Sequence, residues 1–257
     1  MSFMERFSLK GKNILVTGGS RGIGRVVADC LAEAGGNIGI IGTHEEPAKK
    51  AATEIAEKTS VHTQGYGCDI SNPEDVEKTL ADFVKEFGQI DVLFNNAGIC
   101  QHKPVMDLSY SEWLKVIDVN VNGTFLMAHT AAKYMIQSGI KGSIINTASI
   151  SGSIVNLPQP QAAYNTSKAA VVHMTKVLAV ELSGYGIRVN SISPGYTMTE
   201  MISSVDPSWI SFWENAVPMH RLATPDELAG AVIYLASNAS SYTTGADLII
   251  DGGFTCL

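Results

Sequence analysis

Short apolar runs alternate with longer stretches of helical spacing along almost the whole chain. NILVT (13–17), NIGIIG (37–42), TQGYGC (63–68), IDVLFN (90–95), GSIINTA (142–148), IRVNSI (187–192) and DLIID (247–251) read as strands. Several are apolar at consecutive positions, as strands buried on both faces should be. Between them, RVVADCLAEAG (25–35), EEPAKKAATEIAEKT (45–59) and NPEDVEKTLADFVKEFG (72–88) carry helical periodicity. The third offers Asn72 as N-cap, Pro73 at the first helical position and acids in the first turn, and it closes at Gly88. Two longer helices are predicted at about 111–138 and 162–184. Strand–helix alternation of this kind predicts a parallel sheet joined by right-handed crossovers. There is no internal repeat, low-complexity tract or linker. The expectation is one α/β domain over 1–257, a Rossmann-type doubly wound sheet of about seven mainly parallel strands with helices on both faces.

The joint between the first strand and the first helix reads VTGGSRGIG, Val16 to Gly24. Gly18 permits a tight turn, Gly22 lets backbone approach a pyrophosphate, and Gly24 allows close packing of helix on strand. Unpaired N–H groups at the start of the helix then face the phosphates, and Ser20, Arg21 and Ile23 fall within the same cradle. A dinucleotide is therefore expected here, a flexible glycine loop being the alternative. An NAD site usually sets Asp or Glu at the end of the second strand for the ribose 2′-hydroxyl. Here that place holds Thr43, followed by His44. A hydroxyl can donate to a 2′-phosphate that a carboxylate would repel, and the fork of Arg21 adds a permanent cation. The expected cofactor is NADP(H). Against this, Glu45 and Glu46 lie close behind Thr43, and Arg21 also suits an exposed helix start.

The TGxxxGIG spacing, NNAG at 95–98, YNTSK from Tyr164 to Lys168, SISPGYTMT at 191–199 and TGADLIIDGG at 244–253 occur in an order that resembles the short-chain dehydrogenase/reductase family across essentially the whole chain. The resemblance implies adenine contacts from Asp69 and Ile70, and a place beside the adenosine ribose for Asn96 and Ala97. It also implies a turn over the nicotinamide built by Pro194, Gly195 and Thr197. It assigns Tyr164 as general acid–base, Lys168 to the nicotinamide ribose, and Ser149 to orienting the substrate oxygen. Asn120 is the amide linking water to the lysine, and the assembly implied is a homotetramer packed through the 111–138 and 162–184 helices.

Physical chemistry supports the first pair. Tyr164 and Lys168 are four apart and share a face of a helix. A free tyrosine, with a pKa of about 10, is a poor acid–base catalyst near neutrality, and a nearby ammonium is expected to pull it down. Ser149 has Ser151 as a competitor, because a count back of 13 from Tyr164 lands there, whereas strand register selects 149. Asn122 competes with Asn120 in DVNVNGTF, where β-branched residues and Gly123 predict a break in the helix that frees a backbone carbonyl.

Composition narrows the partners. A formal net charge of −7 with thinly spread lysine and arginine leaves no basic stripe, so no nucleic-acid partner is expected. No apolar run has membrane-spanning length, and Cys30, Cys68, Cys100 and Cys256 form no CxxC pair. The expectation is a cytoplasmic protein with free thiols and no metal site. Substrate choice falls to two loops. One, at about 196–221, is an expected lid carrying Trp209, Phe212 and Trp213, for which a core or subunit-contact role is equally open. The other, after Ser149, brings Ser151, Asn156, Gln159 and Gln161 near Tyr164. Amides and hydroxyls near a reacting carbonyl suit a polyhydroxylated substrate. This second loop resembles those of family members acting on polyols and ketoses, such as sorbose reductases, mannitol 2-dehydrogenases and galactitol dehydrogenases. The implied activity is hydride exchange between NADPH and a ketose or small hydroxyketone. A 3-oxoacyl carrier protein reductase and a non-catalytic dinucleotide-binding regulator stand as alternatives.

Overall fold

Each apolar run marked as a strand joins one sheet. The computed structural model describes residues 2–200, 202 and 205–257. The strands are β1 (Asn13–Thr17), β2 (Asn37–Gly42), β3 (Thr63–Gly67), β4 (Val92–Asn95), β5 (Ser143–Thr147), β6 (Arg188–Pro194) and β7 (Asp247–Ile250). Their order is β3-β2-β1-β4-β5-β6-β7, and every pairing is parallel. Strand order therefore reverses between β1 and β4, which opens a crevice at the carboxyl ends of these two strands.

Period-two alternation builds both faces. In β1, Ile14 and Val16 face a cluster formed with α1 (Gly22–Glu33), α2 (Glu45–Thr59) and α8 (Ala229–Ala236). Leu15 faces the opposite cluster, formed with α3 (Pro73–Phe87), α5 (Thr124–Gln137) and α6 (Ala162–Leu182). The expected caps of α3 are in place: Asn72 accepts from Glu74 N at 2.9 Å and Asp75 N at 3.3 Å, and Gly88 ends the helix at φ 87°. A short helix, α7 (Pro207–Ala216), crosses the lid segment, of which residues 201, 203 and 204 lie outside the described residues.

One helix departs from expectation. The stretch predicted as a single helix at 111–138 is divided into α4 (Tyr110–Ile117), a π-helical turn at Asp118–Gly123, and α5. The break foreseen near Gly123 is thus an overwide turn rather than an interruption. Among the described residues, no helix is long and apolar enough to cross a membrane.

Gly24 sets how closely α1 lies on the sheet. A Cβ there would run into the Gly18 carbonyl oxygen and the Asn96 side-chain amide. Gly24→Ala is therefore expected to lower stability by about 1–3 kcal/mol, the usual cost of overpacking, as read by thermal or urea unfolding.

Candidate active site

Polar groups lock the carboxyl ends of three strands together. Thr17 is fully buried, and its hydroxyl accepts from the backbone N–H of Asn96 and of Ala97, each at 2.9 Å, while donating to Asn95 Oδ1 at 3.4 Å. Asn95 donates to Thr124 O at 2.8 Å and to Asn146 Oδ1 at 3.3 Å, and Asn146 donates to Thr175 Oγ1 at 2.9 Å. Thr17 and Asn95 end β1 and β4, and Asn146 of β5 pairs at the same level, one residue before Thr147 ends that strand. Asn96 donates to Thr17 O at 3.2 Å, so its side chain helps to build the β1–α1 turn.

The glycine cradle sits on this platform. Gly18 and Gly22 have φ of 64° and 58°, in the left-handed region that favours glycine. A Cβ at Gly22 would meet nothing within 4 Å, so the backbone there borders open space. No side chain caps α1, so its first N–H groups remain available to an anion. Beyond β2, Thr43 is exposed, and a Cβ at Gly42 would lie 3.3 Å from Ser20 Oγ. Arg21 is exposed and forms no ion pair among the described residues. Glu45 pairs with Lys49 at 2.8 Å. The donor set fits a phosphorylated dinucleotide: open backbone N–H groups, a free guanidinium, and no acid at the end of β2.

The other expected cofactor residues follow the strand ends. Asp69 is exposed beyond β3 and accepts from Ser71 N and Oγ at 3.0 and 2.6 Å, while Ile70 is buried against Gly123. Ile23 is partly buried against the core. Pro194 ends β6 beside Ile250, and Thr197 is buried, donating to Gly195 O at 3.2 Å.

α6 carries the expected Tyr–Lys pair. Tyr164 is partly exposed, and the Ser149 hydroxyl lies close enough to pull its pKa downward. Lys168 is 4% exposed, and its Nζ donates to Thr147 O at 2.6 Å, 5.6 Å from the centre of the Tyr164 ring. Strand register rather than residue count decides between the two serines: Ser149 reaches Tyr164, whereas Ser151 donates to Asn156 Oδ1 at 3.0 Å and accepts from Gln161 at 3.1 Å. Asn120 likewise displaces Asn122. It is 1% exposed, accepts from Ile99 N at 2.8 Å, and donates to Ile99 O at 2.9 Å and Ser167 Oγ at 3.0 Å. Asn122 is exposed and donates to Asp118. A Cβ on Gly98 would lie 3.2 Å from Asn120 Oδ1 and 3.5 Å from Lys168 Nζ, which shows how closely these two groups flank that backbone.

The Asn120 carbonyl at the helix break accepts from Thr124 Oγ1 at 2.7 Å and keeps a second lone pair. One chemical expectation is corrected: the phenol is not lowered. Burial pushes Tyr164 well above the usual tyrosine range, with the Ser149 hydrogen bond pulling only partly against it. The same burial draws Lys168 down to about 8. Desolvation governs the phenol, and Lys168 gives one of its three N–H donors to Thr147 O.

The amide-rich loop is also corrected. Ser151, Asn156, Gln159 and Gln161 are all buried and largely satisfy one another. Gln161 donates to Asn156 Oδ1 at 2.9 Å, Asn156 and Gln159 each donate to Tyr196 OH at 3.2 Å, and Trp213 Nε1 donates to Gln159 at 3.1 Å. Tyr196 stacks on Trp213 at 4.4 Å. These groups build a wall and tie the lid to it. Trp213 is core, Trp209 is partly buried, and Phe212 is exposed.

Sequence reasoning missed Thr17, Asn146, Cys100 and Tyr196. The first two had a visible signal, since a polar residue ending an apolar strand needs a partner. Cys100, whose thiol burial raises to about 11, and Tyr196, the hub of the wall, had none.

Comparison with known proteins agrees with this geometry. The family model described as enoyl-(acyl carrier protein) reductase matches residues 18–255. A sorbose reductase of Candida albicans is 44% identical over 98% of this chain and 90% of its own length. A probable NADP-dependent mannitol dehydrogenase of Yarrowia lipolytica is 44% identical over 99% of this chain and 91% of its own. The crystal structure of a short-chain type dehydrogenase/reductase from Mycobacterium marinum superposes with a TM-score of 0.97 at 44% identity, covering 100% of both chains.

Lys168 makes stability depend on pH in a defined sense. Its folded value lies below the ordinary 10.5, so between about 8 and 10.5 the unfolded chain binds more protons and stability rises with pH. Lys168→Met removes a cost of roughly 3 kcal/mol at neutral pH and loses about 1 kcal/mol with the Thr147 bond. Thermal melts should show the variant more stable by roughly 2 kcal/mol near pH 7, with the advantage gone by about pH 10.

Proposed function

This chain belongs to the short-chain dehydrogenase/reductase family, and on that footing we propose that it interconverts a ketose or small hydroxyketone and the corresponding polyol with NADP(H). The observation that carries the reading is the meeting of Tyr164, Ser149 and Lys168 where the strand ends face a glycine cradle with Thr43 rather than an acid at the end of β2. The names of the two relatives support a sugar substrate, and one of them supports NADP.

When bound, the nicotinamide gives or takes the hydride; the residues manage the proton. Ser149 orients the carbonyl oxygen, and its hydroxyl stabilises the charge that develops there. Tyr164, kept protonated at neutral pH by burial, donates to that oxygen as the hydride arrives and is reprotonated from solvent; in oxidation it first releases that proton to solvent and, as phenolate, takes the alcohol's. Lys168 supplies positive charge beside it and a donor for ribose hydroxyls. Asn120 holds Ile99 and Ser167, and with them the mouth of the β4–α4 loop and the first turns of α6. Gly18, Gly22 and Gly24 with Ser20, Arg21 and Thr43 take the phosphates. Asp69, Ile70, Asn96 and Ala97 take the adenosine, and Pro194, Gly195 and Thr197 take the nicotinamide side.

The family model's description favours a second reading, a thioester of an acyl carrier protein. Its acidic carrier calls for basic surface, and the chain's net charge of −7 argues against it. The proposal extends to a cytoplasmic homotetramer, for which the exposed Phe125 on α5 and Val177 and Val180 on α6 are the support.

NADPH and NADH consumption against L-sorbose, D-fructose, dihydroxyacetone and acetoacetyl thioesters tests the reading. Turnover of the thioesters alone overturns it. Tyr164→Phe should cut kcat by at least about a hundredfold while leaving NADPH binding largely intact, as followed by fluorescence titration. Arg21→Ala should raise the NADPH KM about tenfold and leave that for NADH nearly unchanged. An unchanged ratio of the two coenzymes would show that the 2′-phosphate is held elsewhere.

A further inference from the structure

The self-satisfied wall leaves a question: which groups meet the far hydroxyls of a sugar? Ser151, Asn156, Gln159 and Gln161 are occupied with one another and with Tyr196. Free hydrogen-bonding capacity lies instead between the β4–α4 loop and the lid. Lys103 N donates to Pro160 O at 2.8 Å, which fastens that loop to the wall. Within the loop, Cys100 donates to Gln161 Oε1 at 3.6 Å, just ahead of the turn of α6 that carries Tyr164. Cys100 also lies near enough to Tyr164 and Lys168 to act on their charges.

Two residues further on, His102 is exposed, and its ring stands edge-on to Trp209 of α7 at 5.3 Å and 64°. Its Nε2 has a long contact of 3.8 Å to Cys100 Sγ, and no described residue bonds its Nδ1. Trp209 is partly buried, yet its Nε1 has no partner among the described residues and is not among the sealed, unsatisfied atoms. The indole N–H therefore reaches solvent.

We infer that His102 and Trp209 form the subsite that reads the distal hydroxyls of the sugar chain and so set chain-length preference. An imidazole nitrogen can donate to or accept from a hydroxyl, the indole N–H donates, and the indole face covers the C–H side of the chain. The two rings join the loop that borders Tyr164 to the lid, so a substrate long enough to extend from the reacting carbon toward this rim meets both. A three-carbon hydroxyketone has no hydroxyl beyond the carbon next to its carbonyl. A site with hydrogen bonds waiting for hydroxyls rejects a chain that lacks them more sharply than an apolar pocket does.

This inference rests on the ketose reading, and one set of kinetics separates the two. The readout is the ratio of kcat/KM for L-sorbose or D-fructose to kcat/KM for dihydroxyacetone, with NADPH saturating. His102→Phe keeps a ring against Trp209 and removes both nitrogens. The ratio should fall about tenfold, mainly through the ketohexose KM, and His102→Gln should recover part of it. Trp209→Phe should shift the ratio in the same direction. If both values fall together, the rings serve packing alone and the subsite is refuted, as it is by an unchanged ratio. A wild-type protein that reduces no ketose removes the underlying reading, and this inference with it.

Discussion

Lys168 brings an ammonium group to a place where 4% of the residue meets solvent, and a single strand-end carbonyl, Thr147 O, receives its proton at 2.6 Å. Burying such a charge is costly, and the depression of its pKa to about 8 expresses that cost. The group stays because several elements hold its surroundings in place. Thr147 ends β5, which Asn146 and Asn95 tie to β4, and Thr17 ties β4 to β1. A displacement of any of these strand ends would leave the ammonium without its acceptor. The buried cation therefore depends on the platform, and the chain trades stability for a positive charge beside the phenol.

The phenol shows the other side of this trade. Proximity to a cation was expected to lower Tyr164, but desolvation is the largest influence on the phenol. A tyrosine that stays protonated is a competent donor in the reductive direction. The neighbouring Ser149 hydroxyl pulls its pKa back toward the ordinary range.

Much of the fold was legible from local pattern. β1 and β2 begin and end where the apolar runs do, and Asn72 and Gly88 bound α3 as their chemistry dictates. The closeness of Tyr164 and Lys168 was legible because their spacing is a helical repeat, and the place of Ser149 because strand register decides where a side chain points. Partner choice was not. Nothing in NLPQPQ says that Gln159 will face Trp213 and Tyr196, because those contacts join segments 37 and 54 residues apart. Composition suggested groups aimed at substrate, but the folded chain turned them on each other. The width of the turn at Asp118–Gly123 was hidden for a similar reason, since valine, asparagine and glycine weaken an α-helix without saying what replaces it.

That overwide turn links two features that look independent. An α-helix advances by about 100° per residue, so trimming one residue between α4 and α5 would restore regular winding at the cost of rotating everything downstream. Met127, Ala128, Ala131 and Met135, which face the sheet, would swing toward water. Keeping them inward would instead twist Asn120 off Ile99 and Ser167. Drift in length at this point is therefore barred from both directions, and the surplus residue is a phase lock between the oily stripe of one helix and the amide that braces the reaction centre.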